Sequence, residues 1–245
     1  GVGMVLMLWA FLRAVPGARI SPALLRPFPG ALLRRLLGIG LPSVGENLSY
    51  NLSQMSCLVF VNLMGAYVVT TRMYASMFAS CIYMLICAVA QVGQVLVGYL
   101  VGARDFEGAN ACVRRILRLF VPATLGIAAL AVLFARPLYA LLSPDPRVVA
   151  LGCRIMAIEF VLEIGRSFNN VLVRSFQAVG DIRFPVLLGI ASQWAIGVAL
   201  GWVLGVYLGW GLPGLWAAFA LDENLRGLIF WLRWRRGKWR LLKTV

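Results

Sequence analysis

The chain has 245 residues, 61% of them hydrophobic, and a mean hydropathy of +0.86. Soluble domains use roughly 45–50% apolar residues, so an ordinary water-soluble globule is excluded. Its 23 Lys and Arg against 9 Asp and Glu give a net charge of +14, but they border apolar runs, which points to membrane orientation and anionic lipid rather than nucleic acid.

The elements follow in chain order. Residues 1–12 are apolar, too short to span and without a basic start, so they read as the end of a truncated transmembrane helix, not a signal peptide. Residues 13–37, rich in Pro and Arg and ending in the amphipathic run ALLRRLLG, read as a cytoplasmic linker lying on the membrane surface. Complete spans are expected at 38–64, 71–101 and 116–142, with the polar loop GARDFEGANACVRR between the second and third. The turn Ser143-Pro144-Asp145-Pro146 can cap a fourth helix, which stops at Ala178 before Gly180-Asp181. From Phe184 to Leu221 there is no charge, and the run is too long for one crossing; GWGLPG (Gly209 to Gly214) divides it into spans at 184–208 and 212–233. Residues 236–245 form a basic tail. The expected fold is all-α, a polytopic transmembrane six-helix bundle over residues 38–235.

One set of chain turns carries Arg13, Arg19, Arg26, Arg34 and Arg35, then Arg104, Arg114, Arg115 and Arg118, then Arg183 and the tail from Arg233 to Lys243. The opposite set has only Arg72, Arg136 and Arg147. The basic side is therefore expected to be cytoplasmic, with the C-terminus on it, in a multi-pass protein of the cell (inner or plasma) membrane. Trp231, Trp234 and Trp239 fit an aromatic belt at that face.

Chemistry concentrates in the polar residues within the spans. The first span carries Glu46, Asn47, Tyr50, Asn51 and Gln54 on two adjacent helical faces, which must meet protein or a water-filled cavity. Interhelical hydrogen bonding is the plainer alternative. The fourth helix aligns Glu159, Glu163, Arg166, Asn170 and Arg174 on one face. Glu163 with Arg166 reads as a structural ion pair or as part of a working site. Glu159, nearer mid-span and without a partner at helical spacing, reads as the acid that holds a proton. Glu46, Glu159 and Glu163 are the candidates for cation coupling. Asn47, Tyr50, Asn51, Gln54, Gln91, Gln94 and Asn170 are candidates for a substrate cavity. Asp222 and Arg226, four apart, suit a self-neutralising pair. Gly197, Gly201, Gly205 and Gly209 form a ladder for close helix packing.

The five cysteines lack metal spacing and read as buried small hydrophobes, and there is no histidine. No metal site, resident cofactor or catalytic residue is expected. An intramembrane transferase would need a catalytic His or a metal-binding acid cluster, so an enzyme is not expected. A channel or structural subunit has no positive feature in its favour.

Four stretches resemble the MATE (multidrug and toxic compound extrusion) transporter family: the Pro42 to Glu46 spacing in GLPSVGEN, the run Gly93 to Ala111, the run Arg166 to Val186 with its GD-x-x-x-P loop, and Gly209 to Gly227. The resemblance implies one lobe of a twelve-helix transporter, the C-terminal half, whose partner is the missing N-terminal lobe. It also implies secondary active export of a small organic compound, often cationic, by antiport with Na⁺ or H⁺. The best-known bacterial branch carries its seventh-helix acid where this chain has Tyr50, and an aspartate in its tenth helix, where this chain has only glutamates. A flippase for lipid-linked sugars, from the same wider group, is the alternative.

Overall fold

The computed structural model describes residues 2–14 and 30–241. The chain divides into two compact units, residues 1–41 and 42–245. In the first lies α1 (Val2–Ala14), an apolar helix in which Arg13 sits 4.1 Å over the Trp9 ring. The linker expected at 13–37 falls largely on residues outside those described. Its last part, from Gly30, is already helical and continuous with α2 (Gly30–Asn62).

The second unit contains α3 (Ala66–Gly102), α4 (Phe106–Leu133), α5 (Ala135–Leu142), α6 (Pro146–Ala178), α7 (Arg183–Tyr207) and α8 (Leu212–Arg235), followed by a short 3₁₀ turn, Lys238–Leu241. The bundle is all-α, with no strand among the described residues. The third expected span is two helices, broken at Phe134, and α4 begins at Phe106 rather than 116. The reason is local: the Asp105 carboxylate accepts the Gly108 N–H at 2.8 Å, capping a helix that carries the supposed loop with it. Asp145 likewise caps α6 through the Arg147 N–H, with Pro146 in the first turn. At the far end of α6, Gly180 adopts φ 83, which lets the Asp181 N–H return to the Phe176 carbonyl.

Among the described residues three helices, α3, α4 and α7, are long and apolar enough to cross a membrane. On α3 the buried residues Val68, Thr71, Ala75, Ile82, Ile86, Gly93 and Val97 make one stripe, while Met73, Met84, Val95 and Tyr99 face outward. The polar helix α6 is instead central, packed by α3, α4, α5 and α8. Such placement is what a low-dielectric surrounding demands, because charges on lipid-facing helices would be costly.

Helix α7 has π-type hydrogen bonding over Gln193–Leu200 and Val203–Tyr207. Four residues overshoot an ideal α-turn by about 40°, so a four-residue repeat drifts around the helix. Wider turns bring the period closer to four. Gly197 then meets the Phe219 ring, Gly201 meets Leu215 and Ala218, and Gly205 meets Leu215, all on α8. Gly209 stands outside the ladder, at φ +71, where the chain turns toward α8.

The basic end is tied together by side chains. Arg233 donates twice to Asp181 (2.9 and 2.8 Å), and Arg240 pairs with Glu107 at 2.8 Å. Trp234 and Trp239, expected at a lipid interface, are buried and stacked on each other at 4.4 Å. The 3₁₀ turn folds Trp239 back onto α8, so it packs inside the protein. Of the cysteines, Cys57 is buried and Cys81 exposed, and all five are free thiols.

Candidate functional site

The site forms where α6 and α8 approach most closely. A Cβ on Gly165 of α6 would run into the α8 backbone at Glu223 and Asn224, and one on Gly227 would meet the Gly165 carbonyl. This glycine contact fixes the register of the two helices. The Asn224 amide adds a cross-link, donating to the Val161 carbonyl at 2.9 Å.

Two polar groups result. In the first, Arg166 Nη1 donates to Glu159 Oε1 at 2.8 Å and also to Glu163 Oε1. Glu159 is 2% exposed and Glu163 0%. The other oxygen of Glu159 accepts the Trp216 indole N–H from α8 at 2.7 Å. The expectation that Glu159 lacks a partner is thereby corrected: Arg166 lies seven residues on, two helical turns, and its long side chain reaches back past Glu163. In the second group, Asn169 of α6 donates to Glu223 Oε2 at 2.6 Å, and Arg226 Nη2 donates to both Glu223 and Asp222 at 2.8 Å. The Asp222–Arg226 pair read from their spacing is present, but Glu223 shares it.

The balance of charge is uneven. Four carboxylates, Glu159, Glu163, Asp222 and Glu223, face two guanidiniums, Arg166 and Arg226. Several buried atoms have no hydrogen-bond partner among the described residues: Glu163 Oε2, Asp222 Oδ1, Asn169 Oδ1 and Arg226 Nε. Leaving such a group unpaired costs about 1–3 kcal/mol. No trio of His, Cys, Asp or Glu side chains among the described residues is placed to hold a metal ion.

The remaining candidates lie apart. Glu46 is half-buried on α2, its Oε1 turned to the close contact at Gly189 of α7. Asn47, Tyr50 and Asn51 are exposed, and the Asn51 amide donates to the Asn47 carbonyl of its own helix. Gln54 accepts from Arg72 of α3 at 3.3 Å. Ser49, also on that face, accepts the Trp194 N–H of α7 at 2.9 Å. Asn170 donates to the Arg166 carbonyl at 3.0 Å. Gln91 is exposed and Gln94 half-buried on α3. The structure thus joins Glu159 to Glu163 and leaves Gln91 and Gln94 on a different helix from that cluster. Sequence reading missed Asn169, Glu223 and Trp216 as members of the site. Asn169 sits one position off the polar stripe of α6, and nothing in the local spacing marks its partner on α8.

Comparisons with known proteins bear on the family and the fold. The MatE family model matches residues 42–203. The uncharacterized transporter YisQ of Bacillus subtilis is 39% identical over 212 residues, covering 84% of this chain and 46% of YisQ. A protein of Chromobacterium violaceum described as a probable multidrug resistance protein, NorM, is 28% identical over 198 residues, covering 79% of this chain and 42% of its own length. The chain therefore spans less than half the length of the curated relatives it matches. Among solved structures, the Vibrio cholerae MATE transporter VcmN in the bent form superposes with a TM-score of 0.75 at 21% identity, over 85% of this chain and 47% of that one. At that identity the likeness concerns the fold.

Proposed function

This chain belongs to the MatE family, and from that premise we propose that it is one lobe of a secondary active transporter exporting organic compounds, often cationic, by antiport with Na⁺ or H⁺. The observation that carries the reading is the buried excess of carboxylates over guanidiniums between α6 and α8, with Glu163 Oε2 without a hydrogen-bond partner among the described residues. A buried acid with an open oxygen can take a proton or a small cation and give it up when the helices move. Glu163, held beside Glu159 and Arg166, is the proposed centre of coupling. Glu46, half-buried at α7, is an auxiliary acid. The name of the Chromobacterium relative supports a multidrug substrate class.

The exposed polar face of α2, with Asn47, Tyr50 and Asn51, supports a cavity shared with a second lobe. Rocking of one lobe against the other would then move the substrate across. We place the lobe in a cell membrane among its lipids, with the basic end and C-terminus cytoplasmic, on the charge asymmetry of the chain turns. A flippase gains no support from this site, because pyrophosphate needs free basic groups and the two guanidiniums between α6 and α8, Arg166 and Arg226, are engaged by carboxylates.

The test is ethidium efflux from cells carrying the intact transporter, measured against Na⁺ and pH, with Glu46, Glu159 and Glu163 replaced singly by Gln. Glu163→Gln is expected to abolish ion-driven efflux. If all three variants kept efflux and its ion dependence, the coupling reading would be wrong. Altered envelope glycans on deletion, without any dye efflux, would favour the flippase. Residues 1–245 reconstituted without a partner are expected not to transport.

A further inference from the structure

We propose that Trp216 is a positioning residue of the coupling site: its indole N–H commits Glu159 to Arg166 as a fixed counter-ion, and so leaves Glu163 as the acid that exchanges the ion. The inference rests on the coupling reading above and divides the work between its two adjacent acids.

Both oxygens of Glu159 are engaged, Oε1 by Arg166 at 2.8 Å and Oε2 by Trp216 at 2.7 Å. Glu163 shares the same guanidinium nitrogen on one oxygen and has no hydrogen-bond partner on the other among the described residues. A carboxylate with a strong donor on each oxygen is held in place. An acid with one open oxygen has a ligand position to offer. The asymmetry between the two glutamates is therefore produced by a donor from α8, not by anything on α6 itself.

Packing decides where that donor points. The Trp216 side chain is buried, edge-on to Phe219 with ring centroids 5.9 Å apart. Phe219 in turn rests against Gly197 of α7. The indole can reach Glu159 only while α6 and α8 keep the register set at Gly165 and Gly227. A shift of α8 along α6 would withdraw it and release Glu159 to compete for the ion. Other titratable groups within electrostatic reach of Glu159 or its partner Arg166 are Tyr50 on α2, Tyr83 on α3, Tyr139 on α5 and Glu223 on α8. None of them is hydrogen-bonded to Glu159 among the described residues.

The experiment uses the intact transporter in proteoliposomes, with ethidium as the probe. Trp216→Phe removes the N–H and keeps an aromatic ring. It is expected to move the half-maximal proton or Na⁺ concentration by about tenfold, the size a hydrogen bond to a charged group supplies. Trp216→His, which retains an N–H donor, is expected to bring the value back toward wild type. In a Glu163→Gln background, Trp216→Phe should have no further effect on ethidium binding in detergent, since the exchanging acid is gone. An unchanged ion dependence in Trp216→Phe overturns the proposal. So does an equal loss of ethidium binding in both backgrounds, which would mean packing alone. Should Trp216→Phe not reach the membrane, Glu159→Gln must show the shifted ion dependence, and an unshifted value there also overturns it. If Glu163→Gln itself keeps ion dependence, the coupling reading fails first, and the two failures are told apart.

Discussion

Replacing Gly165 with Ala probes the contact that holds the site together. The added methyl would lie inside the backbone of Glu223 and Asn224, where no flexible side chain can swing away. Restoring ordinary contact requires α6 and α8 to separate by about 1 Å or more, and overpacking of this kind costs about 1–3 kcal/mol. That separation stretches the Asn169–Glu223 bond (2.6 Å) and the Trp216–Glu159 bond (2.7 Å) beyond useful length. Losing hydrogen bonds to charged groups adds to the penalty, for a total of about 3–5 kcal/mol. The assay is thermal unfolding of the intact protein in detergent, followed by loss of the monodisperse peak on size exclusion. Gly197→Ala is the internal control, because its methyl would find the Phe219 ring at 3.7 Å, an ordinary contact. The control should stay within about 1 kcal/mol of wild type. A Gly165→Ala protein as stable as the Gly197→Ala control would refute the idea that backbone contact sets the α6–α8 register.

Two further outcomes follow from the charges. Arg166→Met strips the shared guanidinium from Glu159 and Glu163 and should destabilise by about 3–5 kcal/mol, because two buried acids lose their counter-ion; adding Glu159→Gln and Glu163→Gln should recover part of that in the same unfolding assay. At the start of α6, side-chain and backbone hydrogen bonds from Arg147 hold the Asp145 carboxyl below its usual range. A depressed acid contributes stability above its unfolded pKa and loses it as pH falls through the folded value, so hydrogen exchange in the first turn of α6 should quicken on acidification. Asp145→Asn should remove that pH dependence.

Much of the fold was legible because lipid-spanning helices declare themselves by length and by the absence of charge. The break at GWGLPG, the cap at Asp145 and the stop at Gly180 are local signals, and each falls where the chain turns. The start of α4 was misplaced because a charged amphipathic turn looks like a loop until its Asp105 cap is recognised. At the site, residues three or four apart on one helix were readable, as with Glu163 and Arg166. Partners on another helix were not. Trp216 meets Glu159 and Asn169 meets Glu223 only because Gly165 and Gly227 let two backbones touch, and no spacing along the chain encodes that register. The Arg166–Glu159 contact was hidden for a simpler reason, the reach of a long side chain over two turns.

The wide turns of α7 hold chain in reserve. Each turn that tightens from an i→i+5 to an i→i+4 bond pattern gives back length, so the helix can extend without drawing residues from its neighbouring loops. Tightening would also restore the angular drift and swing Gly197, Gly201 and Gly205 off the surface of α8, like a rail twisting away from its wheel. A single-residue deletion between Gln193 and Tyr207 should accordingly be absorbed in pitch yet still loosen the grip of α7 on α8.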